Sequence, residues 1–133
     1  MASNKSCRPV YCVQNTHGAE FAPSFDTSRI AHVFHKGDRP KIDSYSTSFD
    51  NAHRRHTGLA HYLEKRGVKD VYLMGLALDY CVKYSTLDAR HLGLNTHVVV
   101  DGCRGIELEP GDIGRALNEM KRAGAVLLKS SDL

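Results

Sequence analysis

The chain has 133 residues, of which 41% are hydrophobic and 25% are charged, a composition that indicates one globular domain and excludes a disordered chain. Its formal net charge of +3 is too small to predict binding to nucleic acid. No apolar run approaches the length of a membrane span, and Met1–Ser6 lacks the apolar core of a signal peptide. We therefore predict a cytoplasmic protein with no membrane partner, whose cysteines are reduced thiols.

The first half of the chain contains one predicted strand and one predicted helix. Apolar and β-branched residues predict a strand over Ile30–Phe34. The polar stretch Gly37–Asn51, with glycine and proline, predicts a loop over the sheet. A helix is predicted over Thr57–Arg66, and Gly67 ends it.

The second half alternates between strand and helix patterns. The predicted elements are a strand at Val71–Leu76, a helix at Cys81–Leu92 with Gly93 as its stop, a strand at Thr96–Val100, a helix at Pro110–Ala123 and a strand at Ala125–Leu128. Such alternation is typical of a mostly parallel sheet covered by helices, so we predict the α/β class.

Two histidine pairs suggest metal binding and are weak candidates. His53 and His56 could share one face of a helix, but no carboxylate pattern accompanies them, so a solvated polar segment is the favoured interpretation. His32 and His35 lie on a predicted strand, where residues three apart point to opposite faces.

Cys81 lies where a predicted strand gives way to a predicted helix. The N-terminus of a helix carries partial positive charge and free N–H groups, which favour a thiolate and can hold an oxyanion. Asp79 is predicted to cap this helix. The alternative is that Cys81 is a small buried apolar residue, which is the commoner role of a lone cysteine.

Ligands of parallel sheets bind beyond the carboxyl ends of the strands. Lys36 is then a candidate partner for Cys81, although a surface lysine at a strand end is the commoner case. Cys103 lies in a predicted glycine-flanked loop and is a weaker candidate nucleophile. The segments that this rule brings together are His35–Gly37, Ala77–Cys81 and Asp101–Gly105.

Four segments together resemble the nicotinamidase/pyrazinamidase branch of the isochorismatase-like cysteine hydrolases. They are Cys12-Val-Gln-Asn-Thr-His-Gly-Ala-Glu, Val33-Phe-His-Lys-Gly, Gly75-Leu-Ala-Leu-Asp-Tyr-Cys-Val and Val100-Asp-Gly-Cys-Arg-Gly. They occur in family order, and the resemblance covers nearly all of residues 8–128. It implies a three-layer, Rossmann-like fold with helices on both faces of the sheet. Other branches cleave a vinyl ether or a carbamoyl group, but the Cys-Val-Gln and Asp-Tyr-Cys-Val motifs favour nicotinamide.

The resemblance also implies roles for individual residues. Cys81 matches the nucleophile and Lys36 the catalytic lysine, while Ala77 and Cys81 match the oxyanion donors. The peptide bond between Leu76 and Ala77 is implied to be cis. The residues implied to line the substrate pocket are Tyr45, Leu76 and Tyr80. For the two tyrosines, ordinary packing is the alternative.

The chain also departs from the family pattern. The family's first strand ends in a catalytic aspartate and its second carries an Asp-x-His metal pair, and the sequence begins after both. Tyr11 stands in place of a metal-binding histidine, Arg8 in place of a tryptophan that stacks on the substrate, and Leu78 in place of a threonine.

These departures change what the resemblance implies. Residues 1–133 are expected to form a single domain, incomplete at its N-terminus, that lacks the family's divalent metal (zinc, iron or manganese) and self-associates. The expected function is slow hydrolysis of nicotinamide or pyrazinamide through a cysteine thioester, within NAD salvage. The alternative is an inactive truncated or degenerate member that acts as a binding protein.

Overall fold

The computed structural model describes residues 10–38, 44–49 and 56–133. The chain divides into two units, Met1–Val33 and Phe34–Leu133. The sequence predicted a single domain over residues 1–133, which includes both units, and this stays a prediction.

In the first unit, the described residues 10–33 form turns, bends and irregular backbone. Its one described helical segment is a 3₁₀ turn at His17–Ala19. The predicted strand at Ile30–Phe34 is wrong, because this segment contains no strand and the N–H of Ile30 closes a turn on the carbonyl of Thr27 at 3.1 Å. An apolar run becomes a strand only where a neighbouring strand completes its backbone hydrogen bonds.

The second unit contains the regular elements of the described chain. In order, they are α1 (Leu59–Lys65), β1 (Asp70–Leu76), a π-helical turn (Leu78–Val82), α2 (Lys83–His91), β2 (Asn95–Arg104), α3 (Asp112–Arg122), β3 (Val126–Leu128) and a 3₁₀ turn (Ser130–Asp132). The predicted glycine stops are confirmed: Gly67 and Gly93 follow α1 and α2 with φ of 66° and 82°, a region in which glycine carries little steric penalty.

The three strands form one parallel sheet in the order β1-β2-β3. Both crossovers step in the same direction, and right-handed crossovers of this kind place α2 and α3 on one face. Lys83 of α2 and Glu119 of α3 form an ion pair at 3.4 Å. The predicted α/β class with a parallel sheet is confirmed. Of the three predicted layers, the described residues show the sheet and this helical layer.

Strand β2 is longer than predicted and includes a segment expected to be a loop. Leu73 of β1 faces Val98, but Gly75 faces Cys103, so two steps along β1 correspond to five along β2. This bulge lets the strand continue through Gly102, where a Cβ would lie 3.1 Å from the Met74 Cβ. The sequence interpretation took the glycines as a loop signal, whereas Gly102 allows a close approach of two strands.

The core holds the turn that carries Cys81. Leu78 and Val82, at its two ends, are 3% and 5% exposed and belong to the same buried cluster as Val98 and Met120. Burying side chains on both sides of Cys81 fixes the backbone between them. None of the helices in the described part of the chain combines the length and the apolar character needed to cross a membrane.

Candidate active site

Cys81 lies in a π-helical turn that follows β1. The peptide bond between Leu76 and Ala77 is cis, as the resemblance implied. The carbonyl of Ala77 accepts the N–H of Tyr80 and the N–H of Val82, each at 3.1 Å. In an α-helix this carbonyl would accept the Cys81 N–H instead. The π-helical pairing thus passes over the amide of the candidate nucleophile.

Lys36 lies beside the Cys81 thiol, as predicted, although the strand at Ile30–Phe34 from which the sheet-edge argument placed it does not form. Its Nζ is 3.3 Å from Cys81 Sγ and donates to the carbonyl oxygen of Ser44 at 2.9 Å. Cys81 is half-buried, and Lys36 is exposed. An ammonium at this distance favours negative charge on the sulfur, the form in which a thiol attacks a carbonyl.

The segment 44–49 is attached to α2, the helix that follows the turn of Cys81. The Thr47 N–H donates to the hydroxyl of Ser85 on α2 at 2.9 Å. Between its attachments to Lys36 and Ser85, the segment carries Tyr45, whose side chain is half-buried. The two attachments restrict where the Tyr45 ring can lie.

The Tyr45 ring forms an aromatic cluster that includes a residue not predicted from the sequence. It packs edge-on against Tyr80, with ring centroids 5.5 Å apart, and stacks on Tyr84 at 5.7 Å. The spacing of Tyr80 and Tyr84, one helical turn apart, was the available signal. The tyrosines predicted to line a substrate pocket therefore lie together, and Tyr84 extends their surface.

A cavity of about 400 Å³ opens beside Cys81. Lys36 and Leu76 line it, whereas Tyr45 and Tyr80 do not. Most of its wall is apolar, which suits an aromatic ring better than a charged ligand. The apolar lining residues include Leu59, Leu63, Val71, Leu73, Ala89 and Leu94.

Asp79 does not cap a helix, so this prediction is wrong. The turn begins at Leu78 with Ala77 as its N-cap, which places Asp79 inside the turn. Its side chain, on a residue only 5% exposed, accepts the N–H groups of Ile106 at 2.9 Å and Glu107 at 2.8 Å. A buried carboxylate needs donors, and it finds them in the loop after β2.

Two other side chains at this edge are committed to structural contacts. Cys103 is buried, its thiol donates to the carbonyl of Val99 at 3.3 Å, and burial raises its pKa. Asp101 accepts the hydroxyl and the N–H of Ser130 at 2.6 and 2.8 Å, and these bonds lower its pKa. Of these two thiols, Cys81 is the one that lies beside Lys36, whereas Cys103 is bonded within β2.

The residues that the structure describes do not fit a divalent metal. Within 10–38, 44–49 and 56–133, no group of three or more His, Cys, Asp or Glu side chains could hold an ion. His32 and His35 belong to no such group. The sequence excluded this pair because it predicted a strand there, and that strand is absent. Tyr11 is exposed, while Arg8 and His53 lie outside the described residues.

Residues 2–132 match the family model of the isochorismatase domain. The chain belongs to the isochorismatase family. It is 46% identical to the nicotinamidase of Escherichia coli strain K12 over 93% of its own length, and it spans 58% of that relative. The curated relatives it matches are thus considerably longer than the chain.

Solved structures of family members share this fold. A nicotinamidase/pyrazinamidase of Acinetobacter baumanii is 40% identical with a TM-score of 0.88, covering 93% of this chain and 59% of its own. A yeast nicotinamidase bound to the inhibitor nicotinaldehyde is 29% identical with a TM-score of 0.80, covering 92% and 58%. A pyrazinamidase of Pyrococcus horikoshii in complex with zinc is 38% identical with a TM-score of 0.76, covering 91% and 62%.

Proposed function

We propose that this chain is a nicotinamidase-like amidohydrolase domain that converts nicotinamide to nicotinate and ammonia. The observation that carries the proposal is the 3.3 Å contact between Lys36 Nζ and Cys81 Sγ at the apolar cavity. The similarity to curated nicotinamidases supports the choice of substrate, with pyrazinamide as a second aromatic amide.

The proposed chemistry begins at the sulfur. Cys81 Sγ forms a bond to the amide carbonyl carbon, and the π electrons of the carbonyl move to its oxygen. The N–H groups of Ala77 and Cys81 receive this oxyanion, and Lys36 stabilises the thiolate before attack. The amide nitrogen takes up a proton from water as the adduct collapses, so the C–N bond breaks, ammonia leaves, and the acyl group stays on the sulfur as a thioester. Water then cleaves the thioester, giving nicotinate and the free thiol.

Proton transfer is the step that we expect to be slow. Asp79, which follows β1, accepts a hydrogen bond from the loop at Ile106. Asp101, in the second half of β2, accepts one from Ser130. No step is assigned to a metal, because the described residues offer no cluster that fits one. Loss of a positioned acid or base typically lowers the rate about 10²–10⁴-fold. We therefore propose slow turnover by this chain alone.

An ammonia-release assay with nicotinamide and pyrazinamide tests the proposal. We expect weak turnover that disappears in Cys81→Ala and persists in Cys12→Ala, since Cys12 is an exposed thiol in the other unit. Turnover that survives Cys81→Ala would contradict the assigned nucleophile. Nicotinate binding without any Cys81-dependent turnover would favour the alternative, a degenerate family member that binds its ligand.

We also propose a metabolic role, a cellular compartment and self-association. A nicotinamide hydrolase acts in NAD salvage, and we place it in the cytoplasm. Self-association is supported by apolar side chains exposed on the sheet, those of Tyr72, Met74, Leu76 and Val126. Light scattering at increasing concentration should show growth in mass, and a constant monomer mass would contradict it.

A further inference from the structure

Asp79 is a buried carboxylate beside Cys81 that has no part in the proposed chemistry. Its Oδ1 accepts the Ile106 N–H and its Oδ2 accepts the Glu107 N–H, at 2.9 and 2.8 Å. Both oxygens are thus committed to the loop that leaves β2. Hydrogen bonds from N–H groups to a carboxylate are stronger than those between neutral groups, so this connection is a firm one.

The loop that Asp79 holds has little freedom of its own. A Cβ at Gly105 would come within 2.6 Å of the Ile113 side chain on α3. Glu107 has a φ of 51°, in the left-handed region that non-glycine residues rarely adopt, and its Oε1 accepts the N–H of Gly111 at 3.2 Å. Asp79 therefore connects the turn of Cys81 to the start of α3 through a loop that cannot easily shift.

The turn itself needs such a constraint. π-helical turns are rare and are frequently found at functional sites. Here the Ala77 carbonyl accepts the N–H groups of Tyr80 and Val82, whereas relaxation to an α-helix would direct the Cys81 N–H to that carbonyl. The oxyanion of the proposed reaction needs the same N–H.

We infer that Asp79 is a positioning residue: it holds the turn in its π-helical form and so keeps the Cys81 N–H available to the substrate oxygen. This inference rests on the proposed amide hydrolysis. In that reaction, Asp79 does not contact the substrate. Its effect passes through the backbone of the turn.

The test separates oxyanion binding from ring binding in the full chain. Nicotinaldehyde reports the first: Cys81 Sγ bonds to its carbonyl carbon, the π bond opens, and the oxygen is left facing the turn. Nicotinate reports the second, because it forms no such adduct. Asp79→Asn replaces one acceptor oxygen by an amide donor, and Asp101→Asn makes the same change at a carboxylate bonded to Ser130.

We expect Asp79→Asn to weaken nicotinaldehyde binding about tenfold or more, the typical effect of disturbing an oxyanion donor, and to change nicotinate binding less than about twofold. Asp101→Asn should change neither. If Asp79→Asn binds both ligands like the unmodified chain, the inference is wrong and the proposed function stands. If the unmodified chain forms no adduct that depends on Cys81, both are overturned.

Hydrogen exchange of the unmodified chain decides the matter should Asp79→Asn fail to fold. The amides of Val82, Ile106 and Glu107 should be protected, and the Cys81 amide should exchange much faster than that of Val82. Equal protection at Cys81 and Val82 would overturn the inference.

Discussion

The two units of the chain both carry family motifs, but they differ in how firmly they hold them. In Met1–Val33, every described side chain is exposed, and the motif that begins at Cys12 lies on turns and one 3₁₀ turn. In Phe34–Leu133, the motif around Cys81 lies on a turn whose neighbours are buried in the core. A motif thus identifies residues by their order along the chain, whereas only packing fixes their positions.

The largest expected effect is on the stability of the second unit, where the buried core of the described residues lies. Met120 is fully buried in the second unit, and Met120→Ala should lower the free energy of unfolding by about 2–5 kcal/mol, since it removes buried methylenes and leaves a cavity. Met74→Ala is the matched control, because Met74 is 63% exposed. Urea unfolding measures both. Equal effects would mean that the core lies elsewhere.

Thiol reactivity compares the cysteines of the two units. Cys81 should be alkylated faster than Cys7, Cys12 and Cys103, because Lys36 Nζ stabilises its thiolate and Cys103 is buried. Lys36→Met should slow Cys81 about three- to tenfold, while Lys69→Met, at an exposed lysine, should not. Peptide mapping after brief iodoacetamide treatment gives the rates. If Cys12 or Cys103 reacts first, the site is not assembled.

Limited proteolysis compares the units directly. Trypsin should cut after Arg29, which is exposed in the first unit, before it cuts within residues 68–128. Mass spectrometry of the first products identifies the site. First cuts after Arg90, whose guanidinium donates to the Leu94 and Ala123 carbonyls, would reverse the comparison.

The smallest effect concerns pH and two similar Asp–Ser contacts. Hydrogen bonds from Ser28 lower the pKa of Asp26 in the first unit, and hydrogen bonds from Ser130 lower that of Asp101 in the second. A depressed carboxyl pKa stabilises the fold above the ordinary value of 3.8, and this contribution disappears as pH falls through the lower folded pKa.

Asp101→Asn should therefore lower the unfolding midpoint slightly at pH 7, and the difference should shrink at about pH 3. Asp26→Asn should leave the midpoint unchanged, because its partner lies only two residues away on an exposed turn. Urea midpoints at both pH values test the pair. A difference for Asp101→Asn that grows in acid would contradict the assigned direction.

Local patterns were enough to predict much of the fold. The alternation that predicted strands near Val71 and Thr96 works because helix and strand periods differ over a few residues. Gly67 and Gly93 are visible as stops for the same reason. The contact between Lys36 and Cys81 was foreseeable from the family resemblance, whereas the edge rule for parallel sheets predicted it from a strand at Ile30–Phe34 that does not form.

Other features depended on residues far apart in the sequence, and only the tertiary structure decided them. Asp79 resembles a cap because its neighbours precede a helix, yet its donors are the amides of Ile106 and Glu107. Gly102 resembles a loop signal, yet it continues β2 because Met74 lies against it. Ile30–Phe34 has the composition of a strand but forms none. Composition records what a segment can form, while the partners that complete its hydrogen bonds and packing determine what it does form.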